Sequence, residues 1–135
     1  YAVQGMDLAF SGILNAALNL VEKGKPLTAV CWSLQEHAFA ACVEVAERAM
    51  AHAGKNELLL GGGVACNERL RDMCNTMSND RMATSHVPIK PLCVDNGSMI
   101  ATLGRLQLLW GEPTRLKSSG VKQDLRTDET PILWN

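Results

Sequence analysis

The chain has 135 residues, 47% of them hydrophobic, with 13 Lys and Arg against 14 Asp and Glu and a formal net charge of −1. That length and apolar content suit one domain with a real core. The near-zero charge argues against a protein that holds nucleic acid by bulk charge alone, and leaves room only for a local basic face.

Five cysteines, Cys31, Cys42, Cys66, Cys74 and Cys93, show no CxxC spacing and read as buried thiols of a reducing compartment. No apolar run reaches the ~18 residues of a membrane span, and the first residues show no basic n-region with a small-residue cleavage site. The expectation is a soluble, intracellular protein. Tyr1 stands where an initiator methionine would, so the chain reads as part of a longer one.

The first element is "FSGILNAALNLVEKGK". It places Ser11 as an N-cap and spaces Ile13, Leu14, Ala17, Leu18 and Val21 as a helix that Gly24 can close. After Pro26, "LTAVCWSLQEHAFAACVEVAERAMAHAG" predicts a long helix ending at Gly54. Its stripe is Val30, Leu34, Ala38, Ala41, Val45 and Ala49, widened by Phe39 and Cys42. A stripe that broad implies packing against more than one layer. His37 and His52 lie on this helix and read as packing or surface groups; with His86 they form no HxxxH pair.

Leu58 to Leu60 is a short apolar run ended by glycine, the pattern of a buried parallel strand. The next helix carries Leu70, Met73, Cys74 and Met77. "MATSHVP" alternates up to Pro88 and predicts a second strand. "GSMIATLGRLQLLWG" predicts another helix with Met99, Leu103, Leu106 and Trp110 on one face. The methionines and tryptophans read as core filler. From Glu112 to Asn135 no period is clear, so residues 112–135 are expected to be a docked tail with a final strand at Pro131 to Trp134. Between Arg105 and Arg126 the five basic residues Arg105, Arg115, Lys117, Lys122 and Arg126 outnumber the two acidic ones, Glu112 and Asp124, a local excess that reads either as a phosphodiester contact or as a solvated surface.

Helix, helix, strand, helix, strand, helix is the order of an α/β unit with right-handed crossovers. Two strands alone leave both sheet edges open. Further strands therefore come from sequence ahead of Tyr1, or a partner covers the gap.

Three features could carry chemistry. Gly61, Gly62 and Gly63 follow a strand and precede a helix, where open α/β sheets bind ligands. They are either a plain tight turn or a floor that lets backbone N–H groups approach a phosphate. The run is neither GxGxxG nor GxxxxGK[ST]. Asn67 is either an N-cap, which its spacing favours, or an amide offering a donor and an acceptor to a ribose or base edge. Asp95, in "LCVDNGSMIA", is either a helix-start acid favoured by the dipole or one ligand of a cation.

Taken together, "GMDLAFSGIL", "SLQEHAF", "GGGVACNERLRDM", "CVDNGSMIA" and "SGVKQDLRTDE" occur in one order over essentially the whole chain. In this the sequence resembles the C-terminal half of the catalytic subunit of the KEOPS complex, whose bacterial relative is TsaD. The resemblance implies an α/β fold: the C-terminal lobe of the two-lobed architecture shared by actin, sugar kinases and heat-shock chaperones, with helices packed on a small parallel sheet. The activity it implies is transfer of a threonylcarbamoyl group from threonylcarbamoyl-adenylate to the adenine beside the anticodon of tRNA. By motif, Asn67 matches the asparagine that contacts the adenylate or ATP, Asp95 the aspartate that ligates one divalent metal ion (Fe, Zn or Mg), and Gly61 to Gly63 the phosphate-side turn. Ser11 and Gly12 match an "FSG" segment near the cleft. Ala9 stands where the family often has Ser, Cys66 where many members have Ala, and Ser98 where Ala is usual.

The family's HxxxH metal pair belongs to an N-terminal lobe that would precede Tyr1. The tail resembles the archaeal and eukaryotic branch. That implies tRNA, other KEOPS subunits including a small kinase-like one, and the N-terminal lobe as partners, with no membrane. The implied location is the cytoplasm, or also the nucleus in a eukaryote. Two other functions stay open: a nucleotide-binding lobe of a kinase-like relative, and a pure interaction domain. The family's older name, O-sialoglycoprotein endopeptidase, has no independent support in the sequence, which contains no HExxH.

Overall fold

The computed structural model describes residues 4–126 and 129–134. The chain groups into two compact units, Tyr1–Cys93 and Val94–Asn135. Thr127 and Asp128 of the last motif lie outside the described residues.

The first unit begins with α1 (Ser11–Glu22) and α2 (Leu27–Ala53). The expected Ser11 cap is corrected: Phe10 is the N-cap and makes no side-chain cap bond. Its carbonyl already accepts the Leu14 N–H at 2.9 Å, so the helix starts one residue earlier and Ser11 is its first residue. Both helices stop at the predicted glycines. Gly24 and Gly54 adopt φ of 76° and 62°, and the Lys25 N–H reaches the Leu20 carbonyl at 3.1 Å while that of Lys55 reaches Met50 at 2.9 Å. These are Schellman closures, which satisfy carbonyls that a helix end leaves unpaired.

Beyond α2 come β1 (Glu57–Leu59), a 3-10 turn (Gly63–Cys66), α3 (Glu68–Asp80), β2 (Thr84–His86) and the short α4 (Lys90–Cys93). The strands pair in parallel, with Glu57 opposite Thr84, Leu58 opposite Ser85 and Leu59 opposite His86. Parallel pairing was the expectation, but burial was not met: Leu59 is 74% exposed. Two short strands cover each other only edge to edge, and no further strand shields them among the described residues.

α2 packs against α1 on one side and against α3 and β1 on another, which explains its broad apolar surface. The buried side chains are Ala17, Val30, Val45, Met50, Ala65, Cys74, Met77 and Cys93, joined by Ser78. Met50 and Met77 are therefore core filler as expected.

The second unit holds α5 (Gly97–Trp110) and a 3-10 turn (Leu116–Ser118). α5 buries no residue. Met99, Leu103 and Trp110 are exposed, as is Trp32 on α2, which corrects their reading as core. Leu133 crosses Gly111 so closely that a Cβ there would lie 2.5 Å from its Cδ1. Residues 131–134 form no strand; Pro131 brings no N–H to a ladder. Among the described residues no helix is long and apolar enough to cross a membrane.

Candidate functional site

The chain leaves β1 through Leu60, whose N–H donates to the His86 carbonyl at 2.9 Å, and enters the three glycines. Gly62 takes φ 84° and ψ 167°, a region essentially closed to residues with a Cβ. Gly61 and Gly63 do not have positive φ. No atom lies within 4 Å of where a Cβ would stand at any of the three. The turn is held from below: the Ala65 N–H donates to the Gly62 carbonyl at 3.0 Å, and Ala65 is 2% exposed. On its open side, the N–H groups of Gly61 and Gly62 meet no backbone acceptor among the described residues. One glycine is thus explained by the turn, and two are not.

Asn67 ends the turn and caps α3. Its Oδ1 accepts the Arg69 N–H at 2.9 Å and the Leu70 N–H at 3.4 Å, so the N-cap reading is correct. Its Nδ2 donates to Gln35 Oε1 on α2 at 3.1 Å. The next residue pair repeats the link: Arg69 forks onto Glu36 with two bonds of 2.7 Å. The hydrogen bond from Arg69 holds the Glu36 carboxyl below its usual value of 4.5, against partial desolvation that pushes the other way. The same bond raises Arg69.

Gln35 and Glu36 escaped the sequence reading as contributors to this end of α3. The available signal was the polar run Gln35–Glu36–His37 in the first half of α2. Arg71 escaped it too. Its Nε donates to the Ala65 carbonyl at 2.5 Å and its Nη2 to the Pro88 carbonyl at 3.3 Å, with Cys93 Sγ 3.9 Å away. One half-buried guanidinium thereby ties the segment after β1 to the segment after β2.

Ser11 and Gly12 begin α1. Gly12 borders two hollows of about 380 and 570 Å³ that both reach His37. The His37 ring is committed within its own helix, with Nδ1 2.7 Å from the Ser33 carbonyl oxygen. His86 pairs across the sheet with Glu57 at 3.4 Å.

Asp95 belongs to the second unit. The helix cap there is Asn96, whose Oδ1 accepts the Met99 N–H at 2.9 Å. Asp95 is therefore not the cap, and it is exposed. Among the described residues no three His, Cys, Asp or Glu side chains gather as a metal site. Asp95 by itself is one exposed carboxylate donor, so a cation there would need further donors that the described residues do not gather around it.

Residues 1–102 match the family model described as TsaD, tRNA N6-adenosine threonylcarbamoyltransferase. The chain is 49% identical over 134 residues to the tRNA N6-adenosine threonylcarbamoyltransferase of Methanocella arvoryzae, covering 99% of this chain and 41% of that protein. It is 48% identical over 136 residues to the protein of that name from Thermococcus kodakarensis, covering 100% and 42%. A probable bifunctional tRNA threonylcarbamoyladenosine biosynthesis protein of Methanobrevibacter smithii is 48% identical over 134 residues, covering 99% of this chain and 25% of that protein. The chain thus spans between 25% and 42% of these relatives' lengths.

Proposed function

We propose, since this chain belongs to the TsaD family of tRNA N6-adenosine threonylcarbamoyltransferases, that it is the C-terminal lobe of such an enzyme, built on the actin and sugar-kinase plan. Its substrates would be tRNA and threonylcarbamoyl-adenylate, with ATP as a related ligand. The remaining lobe and KEOPS-type subunits, a small kinase-like one among them, would be its partners in the cytoplasm, or also in the nucleus of a eukaryote.

In that reaction the adenine N6 amine would attack the carbamoyl carbonyl carbon, forming a C–N bond and giving up one proton to solvent, while the C–O bond to phosphate breaks with AMP leaving. Negative charge grows on that phosphate. The N–H groups of Gly61 and Gly62, which meet no backbone acceptor among the described residues, would receive it as donors fixed by the turn. Asn67 would orient the nucleoside, and Ser11 and Gly12 would border the cleft. Asp95 would hold one position of a divalent ion, completed by ligands from outside this chain. When bound, such an ion supplies Lewis-acid charge stabilisation.

The observation that supports this reading is the surplus of glycine. Turn geometry accounts for Gly62, while Gly61 and Gly63 stand bare over open space. In the full-length protein, Gly61→Ala should not lower the melting temperature yet should weaken ATP binding about tenfold, because its Cβ would keep the phosphate from close approach to the backbone N–H groups. Gly62→Ala should instead destabilise the fold by about 1–3 kcal/mol. Unchanged ATP affinity in Gly61→Ala would reduce the turn to a turn.

A further inference from the structure

The "SLQEHAF" segment has no part in the chemistry above, yet two of its side chains, Gln35 and Glu36, reach the start of α3. An N-cap amide is fixed at its oxygen by the helix N–H groups, while its NH₂ is ordinarily free to choose water or a ligand. Here the oxygen is committed to Arg69 and Leu70. One of the two Nδ2 hydrogens is committed to Gln35 Oε1 at 3.1 Å, and both residues are half-buried. The adjoining fork of Arg69 on Glu36 pins the same helix end a second time. The amide plane is thereby set by α3 at one atom and by α2 at the other.

We infer that Gln35 is a positioning residue: it fixes the Asn67 amide so that a single remaining N–H is presented in one direction, toward an acceptor atom of a bound nucleotide. This rests on the reading of Asn67 as a nucleotide contact. It also narrows that reading. Asn67 offers a donor rather than the donor and acceptor pair its side chain carries in isolation, so the ligand group it meets must accept.

The test uses the full-length protein, with ATP as the probe, titrated against wild type, Gln35→Met, Gln35→Glu, Asn67→Asp and the Gln35→Met/Asn67→Asp double variant. Methionine keeps the length of Gln35 but offers no carbonyl; glutamate keeps the acceptor; aspartate keeps the cap of α3 but has no N–H. Asn67→Asp should weaken ATP about tenfold, and Gln35→Met several-fold, as expected for losing or loosening one hydrogen bond. Gln35→Glu should restore wild-type affinity, and the double variant should bind no worse than Asn67→Asp.

If Asn67→Asp binds ATP normally, Asn67 is only a cap and the nucleotide reading of this residue falls together with the inference. If Asn67→Asp weakens binding while Gln35→Met does not, the reading stands and Gln35 has no positioning role. An additive loss in the double variant, or failure of Gln35→Glu to rescue, also overturns it. Should Gln35→Met not fold, Gln35→Ala takes its place, since it also removes the acceptor that faces Asn67 Nδ2; wild-type ATP affinity in that variant overturns the inference.

Discussion

Met82 is a single residue that exposes how α3 ends. The Ala83 N–H reaches the Ser78 carbonyl at 2.8 Å and the Met82 N–H reaches Asn79 at 3.0 Å, the same closure that Gly24 and Gly54 make for α1 and α2. Here the left-handed position is held by a methionine at φ 55°, and its side chain is 93% exposed. A side chain at such φ costs roughly 1–2 kcal/mol, partly offset by the extra unfolded-state freedom of glycine. Met82→Gly should therefore raise stability by about 0.5–1 kcal/mol, read as a higher midpoint in chemical denaturation; an unchanged or lower midpoint would contradict the argument. The same residue shows why sequence signals were uneven. Glycine announced the ends of α1 and α2, whereas nothing in "NDRMAT" announced the end of α3, because tertiary context imposed a conformation that the residue does not prefer.

Beside the apolar core, some elements are joined by polar side chains whose partners lie far away in sequence. Arg71 bridges carbonyls of Ala65 and Pro88. Arg71→Met keeps the bulk but strands those acceptors, so it should cost about 2–3 kcal/mol, measured by denaturant unfolding; a loss below ~0.5 kcal/mol would show that water replaces the guanidinium.

The Glu36–Arg69 fork makes a pH prediction. Glu36 has a folded-state value below its unfolded one, held there by the bond from Arg69. Its contribution is present above the ordinary carboxylate value of 4.5 and disappears as pH falls through the folded value. Wild type should melt above Glu36→Gln at pH 7, and the two should converge below about pH 4.5. Convergence on raising the pH instead would reverse the sign and refute it. Such pairs were invisible from one sequence, since hydropathy period places residues on a helix face but does not say which distant residue faces them. The order of helices and strands was recoverable for the opposite reason: it rests on local periodicity and on glycine.

At the scale of the whole molecule, the proposed reaction asks for more ligand groups than this chain supplies. Asp95 is a single exposed carboxylate, and among the described residues no three His, Cys, Asp or Glu side chains cluster as a metal site. The isolated 135-residue chain should accordingly show no threonylcarbamoylation of tRNA in a radiolabelled-threonine assay, and measurable turnover would refute the assignment of roles. What the sequence could not disclose was exposure. Met99, Leu103 and Trp110 occur at helical spacing as core residues do, but a period records amphipathic design without naming the surface that meets it.

The parallel pairing of β1 with β2 has a kinetic corollary. Its partners, such as Glu57 and Thr84, are separated by a whole helix and its turns, whereas α1 and α2 are chain neighbours that pack directly on each other. Closing the longer loop costs more entropy before any contact rewards it. Substitutions between α1 and α2 should therefore slow refolding, while those along the strand pair should chiefly hasten unfolding.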